Sequence, residues 1–488
     1  MEAFLDKLVG WLWGTPLIVT ILFVGAFFTI KSGFFQFVFF KHIMKETFGK
    51  MFHKQTEEGD GILSSFEAVS TAIGGSVGVG NIGGVATAIA VGGPGAIFWM
   101  WLIALLGMII KNVEVTLAVY YRMKDEKGNP YGGPTYYMER GLGEEKGFKA
   151  WGLLAFVFGA GIFATFFITL QNYTISEAIG STFNINMILA SAFFVVCLYL
   201  LIWGGIPWLG KAAGKLVPFM VLFYFFGGLF IILKNYAAIP TAFGLIFSGA
   251  FSGTAAVGGF TGAVFAQAIR MGIARSVYSN EAGWGTSPMI HSTARVNHPI
   301  KQGMWGSFEV FVDTIIVCTI TALVIIVTGA WETGADGATL TLNAFEIGIG
   351  YYGRLIVTIG VFLFGLTTGS GWYAYYEILL RHLMKKESKT KDTILAIYKL
   401  IYPIPGMLMV IMAVTIGLPG AAVWYFADIT SAIPTFINVV VILILSRRYV
   451  DLLRDYKARY LGIGTVDPEF NLFYEDKIKE SKESLNKN

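Results

Sequence analysis

The sequence predicts an all-α polytopic membrane protein of about eleven transmembrane helices: two inverted five-helix units behind one extra N-terminal helix. Three observations lead there. Of 488 residues, 55% are hydrophobic and only 14% charged, with a mean hydropathy of +0.63, whereas a soluble chain carries roughly 25% charged residues. Apolar runs of about 20 residues, enough to cross ~30 Å of hydrocarbon, recur along the whole chain. Two of those runs are interrupted by clustered glycines, and each stands at the head of one half.

The runs lie at 12–30, 62–91, 95–121, 150–171, 186–203, 216–233, 256–275, 308–329, 352–380, 394–417 and 422–446. The stretch 239–252 is shorter and glycine-rich, and reads as re-entrant or interfacial. Basic residues follow the odd-numbered runs: Lys31, Lys41, Lys45 and Lys50 after the first, Arg122 and Lys124 after the third, Lys211 and Lys215 after the fifth. Arg270, Arg275, Arg381, Lys385, Arg447 and Arg448 continue the pattern. By the positive-inside rule the N-terminus is outside and the C-terminus cytoplasmic, in a multi-pass plasma-membrane protein. The predicted division is an N-terminal helix (1–35), a first unit (60–235), a second unit (239–448) and a charged cytoplasmic tail (449–488). That tail is expected to begin as a helix and fray.

The first broken run is the centre of the prediction. Between Ile73 and Ala86 stand Gly74, Gly75, Gly78, Gly80, Gly83 and Gly84, each costing a helix about 1 kcal/mol relative to alanine. Lipid cannot hydrogen-bond a freed backbone, so such a break must face protein or a watery cavity. There its N–H and C=O groups form a site for ions and small anions. A second glycine-broken run extends from Val257-Gly258-Gly259-Phe260 through Gly272 and on to Ser279–Ser287. Five spans separate one start from the next, so the two units are inverted, which points to alternating-access transport. The other reading of these glycines is close helix packing.

At this point the chain resembles the alanine or glycine:cation symporter family. The resemblance rests on G-G-S-V-G-V-G-N-I-G-G-V-A-T-A-I, followed by G-G-P-G-A-I-F-W-M-W, with G-G-P-T-Y-Y-M at 132–138 and A-R-S-V-Y-S-N-E-A-G at 274–283. It covers nearly the whole chain. It implies sodium-coupled uptake of alanine or glycine and a LeuT-type core preceded here by one extra span. Ser76 and Gly83 depart from the family's usual Thr and Ala, which bears on substrate size.

A zwitterionic amino acid needs a positive dipole for its carboxylate and oxygens for its ammonium. The helix restarting near Gly78 to Asn81 presents N–H groups to the former. Carbonyls around Gly74, Gly75 and Val77, beside Ser76, serve the latter or a cation. Asn81 offers both a donor and an acceptor; alternatively it caps the second half-helix. Sodium prefers hard oxygens, and L-T-T-G-S-G-W at 366–372 supplies Thr367 and Thr368. The resemblance implies that both turn towards Gly74 and Val77, as in the sodium site between the first and eighth core spans. The alternative is that they bond back to their own helix. Trp372, one turn on, is a candidate wall. Gln171 is a candidate outer closure, with Phe167 as an apolar lid, and Gln267, Met271, Gly272 and Ile273 are candidates beside the second break.

Other classes find little support. Basic residues lie between spans rather than in one patch, which argues against nucleic acid. Cys197 and Cys318 lie in apolar runs, and no protein partner is implied. No H-E-x-x-H, G-x-S-x-G or Walker lysine occurs, so an enzyme is not predicted. The alternative within transport is a proton-coupled amino-acid carrier using Glu114 or Asp428.

Overall fold

The computed structural model describes residues 2–51, 59–167, 170–251, 261–417 and 420–478. Its α-helices in chain order begin with α1 Glu2–Leu12, α2 Thr15–Lys31, α3 Phe35–Val38, α4 Phe40–Glu46, α5 Ser65–Ser76 and α6 Val85–Gly92. Then come α7 Ala96–Tyr120, α8 Pro134–Tyr137, α9 Trp151–Ala164, α10 Leu170–Phe183, α11 Met187–Ile202 and α12 Gly205–Lys234. The second half holds α13 Ile239–Phe251, α14 Thr261–Asn280, α15 Ser287–His291, α16 Pro299–Val310, α17 Thr319–Val327 and α18 Gly337–Ile349. It ends with α19 Tyr351–Leu383, α20 Lys389–Ile401, α21 Ile404–Ile416, α22 Gly420–Ile444 and α23 Ser446–Leu461.

Among the described residues, 7 helices are long and apolar enough to cross a membrane, or up to 9 if each of two bent pairs is one span. Of the other runs in the expected set, 186–203 forms the shorter apolar helix α11, and 256–275 begins outside the described residues. The stretch 239–252 is the helix α13.

Local chemistry explains where the central helix begins and stops. Ser64 accepts from the Glu67 amide at 3.2 Å while Glu67 accepts from the Ser64 amide at 2.9 Å, a reciprocal cap that nucleates α5. Twelve residues later Val77 is extended, with φ −71° and ψ 98°. The chain then rewinds through a wide turn over Gly80–Gly84 into α6, bent by 49° from α5. The expected break is there, confined to the residues around Val77 and Gly78.

The second broken run is described only in part. Val257–Phe260 lies outside the described residues, and α14 runs unbroken through Gly272 to Asn280. The chain turns only afterwards, where Glu281, Gly283 and Gly285 have φ of 54°, 90° and 84°. The two glycines fit because they lack the Cβ that disfavours this region.

Buried charges tie the helices together. Lys111 on α7 donates to the Glu281 carbonyl at 2.9 Å and to Ser287 at 2.8 Å, 3.7 Å from Glu309 on α16. His291 lies 3.0 Å from the same Glu309. Arg275 of α14 pairs with Asp428 of α22, and Glu114 accepts from the Gly283 amide at 3.1 Å and from Asn438. Glu114 and Asp428, the two carboxylates considered for proton coupling, are therefore both engaged as helix-to-helix links.

The tail begins as the expected helix, α23; residues 462–478 then dock on the helical turn after α8 and the end of α7, and 479–488 lie outside the described residues. Tyr474 packs 5.4 Å from Tyr121, Lys477 sits 3.0 Å from Glu145, and Arg448 pairs with the same carboxylate. Near it, Glu139 accepts from His382 at 2.8 Å and from Lys385. Burial pushes that carboxyl up, but these partners outweigh it and hold it at about 2.

Candidate functional site

The break places polar backbone against α19. Thr368 directs its hydroxyl at the Gly74 carbonyl, 3.0 Å away, with the Val77 carbonyl at 3.5 Å. Three hard oxygens thus converge where α5 unwinds. Hard oxygens of this kind are what a small cation takes as ligands. Close approach makes this possible: a Cβ on Gly78 would run into the Thr368 hydroxyl, and a Cβ on Gly371 would lie 2.9 Å from the Gly75 Cα. Gly75 therefore serves helix packing, the alternative foreseen for these glycines.

Thr367, the adjacent candidate, corrects the prediction. Its hydroxyl donates to Leu363 at 3.1 Å and Phe364 at 2.9 Å, carbonyls of its own helix, with Met220 Sδ 3.4 Å away. Successive residues on a helix project about 100° apart, so only one of two neighbouring threonines faces α5.

Asn81 holds the break in shape. Its Oδ1 accepts from the Gly78 amide at 2.8 Å, half of a capping box for the restarting helix. Its Nδ2 donates to the Asp313 carboxylate at 2.7 Å and to the Asp313 carbonyl at 3.2 Å. Ser279 at 2.8 Å and Thr314 at 2.7 Å also donate to Asp313. Asn81 is fully buried, so the capping role applies and its side chain is spent on protein partners. The Gly78 amide, expected to meet a carboxylate, is occupied by Asn81. Ser76 lies buried, its hydroxyl 3.4 Å from the Ile73 carbonyl.

Beside α19 lies a cavity of about 40 Å³ lined by, among others, Thr165, Gln171, Asn172, Trp284, Trp372 and Tyr376. On that measure a single water needs roughly 10–15 Å³, so the space takes only a few heavy atoms. Trp372 meets Trp284 edge-to-face at 5.1 Å, and Thr165 and Tyr376 share a hydrogen bond of 2.6 Å. Two buried donors on this wall, Asn172 Nδ2 and Trp284 Nε1, have no hydrogen-bond partner among the described residues. Unmet buried donors beside a cavity favour an acceptor, an anionic one most strongly.

Trp372 and Gln171 thus line the cavity; Gln171 does so from the first turn of α10 rather than from the end of a span. Phe167 is not a lid. It is 65% exposed while its neighbour Phe166 is buried, edge-on to Tyr376 at 5.6 Å. Gln267, Met271, Gly272 and Ile273 lie along α14, which is unbroken over its described residues, and outside the cavity lining. There a Cβ on Gly272 would crowd Trp99 at 2.7 Å, and the Met271 Cβ faces Gly92 of α6. Reading residues singly missed Asn172, Tyr278 and Trp284. Trp284 stands between the two positive-φ glycines, Gly283 and Gly285, directly after the motif at 274–283.

The chain has a LeuT-type fold. The crystal structure of MhsT in complex with L-phenylalanine aligns over 80% of this chain and 89% of its own, at a TM-score of 0.56 and 14% identity. That likeness concerns architecture alone. The chain belongs to the sodium:alanine symporter family, which matches residues 1–470. It is 38% identical to the sodium/alanine symporter AgcS of Methanococcus maripaludis over 443 residues, 90% of this chain and 93% of that one. It is 36% identical to YrbD of Bacillus subtilis, described as a putative sodium/proton-dependent alanine carrier, over 94% and 93% of the two chains. It is thus a multi-pass membrane protein of a cation–amino-acid symporter family, not an enzyme.

Proposed function

We propose that this protein couples inward sodium movement to uptake of a small neutral amino acid, alanine or glycine, by alternating access. The observation that carries this reading is the Thr368 hydroxyl against the Gly74 and Val77 carbonyls at the break. Those oxygens form the sodium site. In this reading 60–235 and 239–448 are the inverted units, with the N-terminus outside, the C-terminus cytoplasmic and the plasma membrane as location.

The substrate occupies the aromatic cavity. Its carboxylate accepts from Asn172 Nδ2 and Trp284 Nε1, and its ammonium meets the oxygens of Gln171, Thr165 and Tyr376. The methyl group of alanine lies against Trp372. The small volume favours short side chains; an extra methylene changes affinity by only about 1–3 kcal/mol, so close homologues compete. The decisive experiment is alanine uptake into proteoliposomes at fixed pH under sodium, lithium or potassium gradients. Uptake independent of sodium and driven by a pH gradient would move the assignment to proton coupling, as the description of YrbD suggests. Glu114 and Asp428, the two carboxylates considered for proton coupling, would then be the ones to mutate.

Trp284→Phe keeps the ring and removes one donor to a charged group, an interaction of about 1.5–3 kcal/mol. The alanine KM is expected to rise at least tenfold while the sodium half-saturation stays close to wild type. An unchanged KM places the carboxylate elsewhere.

A further inference from the structure

A second cavity, sharing no lining residue with the first, opens on the flank of the molecule. It measures about 410 Å³ and lies between α4, α5, α12 and α16. Its walls are carbon: Met44 and Phe48 on one side, Val69 and Ile73 of α5 as its floor, Leu222 and Phe225 of α12 opposite, with Ser70 the only hydroxyl. Phe48 and Leu222 are about half exposed, so the groove is open to the surroundings. In a bilayer those surroundings are acyl chains, which gain little by moving from lipid to a carbon-lined groove. Shape alone therefore selects no lipid, and any preference must come from the mouth.

The mouth is basic. Lys211 and Lys215 continue, at intervals of four and three residues, the α12 stripe of Pro218, Leu222 and Phe225 that forms the wall. On α4, Lys41 precedes Met44 by one turn and Lys45 follows it directly. All four lysines are exposed. Among the described residues no salt bridge takes up any of them. Among the described residues two acids near this end are already used: Glu46 is bound by Lys50 at 2.5 Å, and Glu67 closes the cap on Ser64. A partner for this site needs an apolar chain for the groove and an anion for the lysines.

We propose that the groove binds one acyl chain of an anionic glycerophospholipid whose phosphate is held by Lys45 and Lys215. Its floor is the half-helix that ends at the break, so the bound lipid braces α5 against α12.

Native mass spectrometry of the purified full-length chain tests this, with dioleoyl phosphatidylglycerol or dioleoyl phosphatidylcholine titrated into detergent. The wild type is expected to retain the glycerol lipid in roughly thirtyfold preference, the scale of two surface lysines on an anionic headgroup. The double variant Lys45→Gln/Lys215→Gln is expected to lose that preference. Val221→Trp, which fills the groove, is expected to lose retention of the anionic lipid; Leu222→Trp, at a half-exposed position, repeats this test should Val221→Trp fail to fold. Equal retention of both lipids by the wild type, an undiminished preference in the lysine variant, or full retention in the filled groove each overturns the proposal.

Discussion

Asn81→Ala is expected to destabilise the protein by about 2–6 kcal/mol and to abolish coupled uptake. The side chain satisfies the Gly78 amide and one oxygen of Asp313, both fully enclosed. Each group left without a partner costs about 1–3 kcal/mol, and neither can turn to water or lipid. Asn81→Asp is no rescue, because a second carboxylate would then face Asp313 at hydrogen-bond distance. Thermal unfolding in detergent, beside sodium-driven uptake at matched protein levels, separates stability from transport. A variant that melts and transports as wild type would show that the break keeps its shape without this cap.

Thr368→Ala is expected to raise the sodium half-saturation by roughly ten- to a hundredfold. The loss of one polar contact to a charged group is about 1.5–3 kcal/mol, and 1.4 kcal/mol is a factor of ten. Two companions make the result specific. Thr368→Ser keeps the hydroxyl and should keep sodium dependence near wild type. Thr367→Ala removes only a hydroxyl bonded to its own helix and should change little. If Thr367→Ala and Thr368→Ala behave alike, the oxygen cluster at Gly74 and Val77 is not the sodium site.

These variants also mark how far the chain can be read without coordinates. The break between Ile73 and Ala86 was legible because glycine's backbone cost and lipid's lack of hydrogen-bond partners are local facts. The cap that starts α5, Ser64 with Glu67, went unread although S-x-x-E is a local signal. The cavity was legible in part: Gln171 and Trp372 line it, but Phe167 faces out and Phe166 faces in. For threonine and phenylalanine alike the sequence identified the pair and could not say which member pointed inwards. The turn at Glu281–Thr286 depends on positive φ at Gly283 and Gly285, which their identity permits without requiring.

By itself, then, the sequence determined a helical membrane protein with an unwound segment in its first unit, because hydropathy and glycine clustering act over a few neighbouring residues. Tertiary structure alone decided that Thr368 rather than Thr367 meets the break and that Asn81 serves Asp313 rather than the substrate. It alone brought Asn172 and Trp284 to one cavity. Those outcomes depend on the rotation of one helix about its axis against another, and side-chain packing between segments hundreds of residues apart sets that angle.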